Sequence, residues 1–154
     1  MSRRDRGFTL VEVLVALALI SVLLGVTAGL VLASMNGFAR GARQSEAKQL
    51  GLTIYEAVEA RLSIATALGE GERSLESLGG RVLQGGAALY PDTLYGSLSA
   101  AFTVEAAGPS ALRLTVTIYD ETGAVFTKES AFRLLNGPEI TLPEGAHTKV
   151  RYSD

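Results

Sequence analysis

Glu12 is the side chain whose placement asks most for an explanation. It stands at the threshold of a run, Val13 to Ala39, that contains no charged residue. A carboxylate at the centre of a membrane helix costs ~2.5–3.5 kcal/mol, and less near the interface, from which it can reach outward. Glu12 lies four residues beyond Phe8, one helical turn or about 6 Å along a helix axis. Other reactive types are sparse. His147 is the sole histidine and has no nucleophile signature beside it. Asp120 and Glu121 lack the ligand spacing of a calcium loop and read as a solvated turn. The absence of cysteine removes disulfides, thiolate metal sites and thiol nucleophiles. Gly85-Gly86 is not followed by the lysine and hydroxyl of a phosphate-cradling loop. No catalytic residue, metal or cofactor is therefore expected, and an enzyme is not the favoured class.

The element that positions Glu12 is the apolar run itself. Val13 to Ala33 reads VLVALALISVLLGVTAGLVLA, long enough as a helix to cross a hydrocarbon core of ~30 Å. A chain of 154 residues could hardly cover such a helix on every side within a soluble domain. Arg3, Arg4 and Arg6 precede it, with Asp5 as the one acid among them, and this cluster favours a cytoplasmic amino terminus. A secretory signal would be shorter and would be cut after its apolar region; here the apolar run continues directly into a helical pattern. Gly25 and Gly29 form a GxxxG, a spacing that serves close helix packing and also loosens the helix by ~1 kcal/mol per glycine. No proline fixes a kink there.

The junction Arg6-Gly7-Phe8-Thr9-Leu10-Val11-Glu12-Val13-Leu14 resembles the processing motif of type IV prepilins and of type II secretion pseudopilins. The resemblance is close over roughly residues 1 to 35. It implies that a prepilin peptidase cuts between Gly7 and Phe8 and that the new Phe8 amine is N-methylated. Gly7 suits such a groove, because a residue without a side chain lets the backbone lie extended and close. The resemblance also implies that Glu12 pairs with the Phe8 amine of a neighbouring subunit, so that neither charge is left alone among apolar helices. Other pilin or pseudopilin subunits, the inner-membrane assembly machinery and, before assembly, the lipid membrane are the implied partners. The implied location is a single pass in a bacterial inner membrane, then a surface pilus or periplasmic pseudopilus. The opening residues are most like those of minor pilins and minor pseudopilins; a major pilin is the alternative. A membrane-anchored enzyme or a monomeric receptor would leave the leader and Glu12 unexplained.

The remainder reads as a small exported head. Its net charge is acid-rich once the leader arginines are set aside, so no nucleic-acid partner is indicated. Ala47, Leu50, Ile54, Val58, Leu62 and Ala65 recur at helical spacing and predict one continuous helix from about Phe8 to Leu68. The segment from Gly69 to Ser77 reads as a solvated connection. Gly79-Gly80 and Gly85-Gly86 bracket a short strand at Arg81 to Leu83. Further strands are expected at Leu98 to Ala106, with Phe102, Val104 and Ala106 on one face, and at Ala111 to Tyr119, with Leu112, Leu114, Val116 and Ile118 inward. After a turn at Asp120 to Gly123, Val125 to Leu135 returns, with Lys128 marking a bulge or a shift at an edge, and His147 to Tyr152 supplies a last strand. The expected fold is α+β: a long amino-terminal helix packed on a small antiparallel meander. Its parts are a leader at 1–7, a membrane and assembly helix at 8–33, an amphipathic continuation at 34–68 and the β head at 69–154.

Overall fold

The computed structural model describes residues 9–137 and 140–153. The chain divides into two compact units, one running to Ala42 and the other from Arg43. The first is the apolar part of α1 (Leu10–Ser63, 54 residues). Within it no described residue is buried, and α1 is long and apolar enough to cross a membrane. Its hydroxyls are satisfied internally. Ser21 Oγ donates to Leu17 O at 2.8 Å, and Thr27 Oγ1 lies 3.0 Å from both Leu23 O and Leu24 O. Such back-bonding lets a polar side chain sit in an apolar span without an orphaned donor.

The second unit holds the core. The helical stripe predicted from sequence is buried in full: Ala47, Leu50, Ile54, Val58 and Leu62 line α1, and Ala65 follows it. The helix ends at Ser63, short of the expected Leu68. Its terminal carbonyls are taken by the chain after the last long strand, with Leu135 N–H donating to Ser63 O at 2.8 Å and Asn136 Nδ2 to Ile64 O at 2.5 Å. These bonds satisfy acceptors that another helical turn would otherwise use.

Among the described residues seven strands follow: β1 (Ala67–Leu78), β2 (Arg81–Gln84), β3 (Ala87–Ala88), β4 (Ser99–Gly108), β5 (Ala111–Asp120), β6 (Gly123–Arg133) and β7 (Lys149–Ser153), with a short α2 (Asp92–Tyr95) before β4. Two corrections to the sequence reading stand out. First, Gly69 to Ser77 is not a connection but most of β1, which lies between β2 and β7. Only Leu68 and Leu75 of this strand are buried, and its pairing slips between Leu68 and Arg73. Gly71 makes the slip possible: a Cβ there would collide with the backbone of Tyr152. Second, the strands form two antiparallel sheets, ordered β3-β2-β1-β7 and β4-β5-β6, rather than a single meander. The paired glycines are indeed the turns of the first sheet, all four at positive φ.

In the second sheet Leu112, Leu114, Val116 and Ile118 are fully buried, as the alternation predicted. Phe102 and Val104 join them from β4, whereas Ala106 is exposed because the β4–β5 register shifts just beyond it. Lys128 does not mark a bulge. It pairs in register with Val116, and the irregularity falls instead between Ile118 and Tyr119. Its ammonium sits 4.2 Å from the centre of the Tyr55 ring, a cation–π contact that explains a charge on the helix-facing side. The β4 edge meets the first sheet through reciprocal bonds of Val104 with His147, each 2.9 Å, and through Ala100 N–H to Gly80 O. His147 thus forms an isolated bridge before β7, which starts at Lys149.

Candidate functional site

The start of α1 is built by two side chains. Thr9 N–H and Thr9 Oγ1 both donate to Glu12 Oε2 at 3.0 Å, and Glu12 N–H donates back to Thr9 Oγ1 at 3.3 Å. Val13 N–H donates to Thr9 O at 3.2 Å and begins the helical ladder. This is a reciprocal capping box, with Thr9 as the capping residue and Glu12 three positions later. It satisfies donors that a helix start leaves orphaned, and it sets a carboxylate at the positive end of the helix dipole. The T-x-x-E spacing before an apolar run carries this signal in sequence; the reading of Glu12 as a partner for an amine passed over it. Glu12 therefore has hydrogen-bond partners within its own turn, before any neighbour arrives. Gly7 and Phe8, the expected cleavage and methylation positions, lie outside the described residues.

Gly25 and Gly29 lie farther along the same helix, which is unbroken through both. Apart from the adjacent residues and the helix's own backbone, no described atom lies within 4 Å of the place a Cβ would occupy at either glycine, so no other described residue fills the GxxxG face.

The other reactive residues are absorbed by structure. Asp120 Oδ1 accepts from Thr122 N–H at 2.7 Å and from Thr122 Oγ1 at 2.6 Å, closing the β5–β6 hairpin. The Thr122 hydroxyl, then the Thr122 amide, hold the Asp120 carboxyl below the usual carboxylate range. A ring nitrogen of His147 lies 2.9 Å from Pro143 O, and the His147 backbone bridges Val104. Among the described residues no group of three histidine, aspartate or glutamate side chains could hold a metal. A cleft of about 310 Å³ opens between α1 and α2, lined by Glu46, Gln49, Thr53, Thr93 and Ser97 among others. Glu46 is the charged side chain of its lining, among neutral polar and apolar groups.

Neither a curated protein nor a solved structure matches the chain. One family model does, and its match covers the arginine-rich first residues, the capping box and the first turns of the apolar helix. Over residues 2–28 the chain carries the prokaryotic N-terminal methylation motif, the mark of type IV pilin-like proteins.

Proposed function

We propose that this chain is a minor type IV pilin-like structural subunit, made as a precursor and assembled into, or initiating, a membrane-rooted filament. The observation that carries the reading is the methylation motif at residues 2–28 running straight into an apolar helical stretch in which no described residue up to Ala42 is buried. Prepilin peptidase cuts between Gly7 and Phe8 and the new Phe8 amine is methylated. The mature helix, held in the inner membrane until assembly, then packs with the helices of other pilin-like subunits. Glu12 exchanges its Thr9 bonds for the Phe8 amine of a neighbour, which supports axial register. Gly25 and Gly29 supply a face without side chains against the next helix.

The minor assignment rests on the head. It is small, has no disulfide and needs to meet only a few specific neighbours, whereas a major subunit must satisfy both sides of a heterologous contact repeated along an open helix. A minor pseudopilin of type II secretion is the second reading, favoured by the same opening residues. Co-expression with a prepilin peptidase tests the core of the proposal. Intact mass should show loss of Met1 to Gly7 and one added methyl group on Phe8. A mature chain still beginning at Met1 refutes it. Recovery of the protein as the bulk component of purified filaments would replace the minor role by the major one.

A further inference from the structure

The two sheets differ in how their edges are finished. The β3 edge has two residues, and the β4 edge is bridged through Val104 and Ala100. β6, by contrast, has 11 residues, pairs with β5 along its length, and has no strand on its other side among the described residues. An edge of this length presents unpaired backbone donors and acceptors to any extended chain.

Its inner side is not neutral. Phe126, Lys128, Ser130 and Phe132 pair with the buried Ile118, Val116, Leu114 and Leu112, and so face α1. The Lys128 ammonium lies over the Tyr55 ring, 4.2 Å from its centre. On the outer side Glu129 pairs with Arg113 at 3.4 Å, while Arg133 is exposed at the end of the strand. A strand laid against β6 would place one of its own inward side chains beside Lys128 and strip water from the ammonium. An apolar residue or a cation there leaves the ammonium with the Tyr55 ring as its one neutral partner, and a carboxylate supplies a compensating charge.

We propose that the open edge of β6 is a strand-addition site for an extended polypeptide segment that sets a carboxylate beside Lys128. Main-chain bonds along the edge supply affinity, and Lys128 supplies selection. The same lysine keeps the edge from pairing with indiscriminate strands, as inward charges do at other sheet edges. The inference is independent of the filament reading, because it concerns only the folded head.

The full chain in detergent micelles can be tested with two labelled peptides of alternating threonine and valine, about nine residues long. The peptides differ only in a central glutamate or lysine. The glutamate peptide should bind and slow amide exchange within residues 123–133, and the lysine peptide should bind roughly fivefold more weakly. Lys128→Glu should invert the preference. If that variant does not fold, Lys128→Ala should bind both peptides equally. Failure of both peptides to protect β6, or equal binding of both to the unaltered chain, overturns the proposal.

Discussion

The chain on either side of Ala42 solves opposite problems. Before it, α1 exposes Leu, Val and Ile at every turn, and no described residue is buried. After it, a cluster running from Ala47 to Tyr152 buries its apolar side chains against one another. The first region bonds its backbone along its own helix but leaves its side chains to a medium or a neighbour. The second region does the reverse, taking partners from distant segments and burying most of its large apolar side chains among them. A helix that is apolar all round is stable where water is scarce, whereas a one-sided stripe needs a sheet. The difference teaches that burial, and not secondary structure, divides this molecule.

The comparison breaks most readily in the second region. Leu114→Ala removes a fully buried side chain from the centre of β5 and should lower unfolding stability by about 2–5 kcal/mol, read by denaturant titration of the full chain in micelles. A matched Leu23→Ala, at a position 64% exposed in the isolated chain, should leave that titration unchanged. Equal losses would mean that the span is packed in the monomer after all. Gly51→Val ranks next. A Cβ at Gly51 would run into the Phe126 ring and crowd Ile118, so the cost should be about 1–3 kcal/mol. Phe126→Ala should relieve part of it in the double variant.

Within the first region the effect is smaller and sharpens the role of the helix start. Thr9→Ala removes the cap and should reduce helix content at the amino-terminal turn, by about 1 kcal/mol in local stability, seen as faster amide exchange near Glu12. Glu12→Gln keeps the hydrogen-bonding shape and should preserve the cap while impairing incorporation into filaments. If Gln assembled as well as Glu, the charge would have no part in assembly.

The smallest effect is one of pH. The Asp120 carboxyl is depressed in the folded state by its Thr122 bonds. It therefore contributes stability above its unfolded pKa, and that contribution is lost as pH falls through the folded one. The stabilities of the unaltered chain and of Asp120→Asn should converge in acid, below the ordinary aspartate range. A constant gap across that window would assign the effect to the turn's shape alone.

Much of this fold was legible from local pattern. The stripe from Ala47 to Leu62 and the alternation from Leu112 to Ile118 are periodic signals that burial enforces, and both appear where the spacing puts them. What escaped was non-local. β1 carries Glu70, Glu72, Arg73 and Glu76 around only two buried leucines, so nothing in its composition announces a central strand. Its identity comes from β7, which lies far along the sequence and joins it through Ala67↔Ser153 and Leu75↔Val150. Lys128 misled for a related reason. A charge on an inward face looks like a break in pattern until the Tyr55 ring is known to lie beneath it. At the site, Glu12 was found by its isolation among apolar residues, but its bond to Thr9 is a three-residue signal that a search for ion pairs overlooks.

The pairing of β1 with β7 has a consequence for the order in which the head can be made. When Ala67 leaves the ribosome, its sheet neighbour Ser153 has not yet been synthesised. The hairpins β1–β2 and β4–β5–β6 can close as they emerge, since their partners are adjacent in sequence. β1, however, keeps one bare edge until the chain through Ser153 is free, and only then does Thr66 N–H find Ser153 O at 2.9 Å. A chain interrupted between Arg133 and Lys149 would carry a complete three-stranded sheet beside an unfinished one. β7 thus acts as a completion latch, and the head is closed only in molecules translated through it.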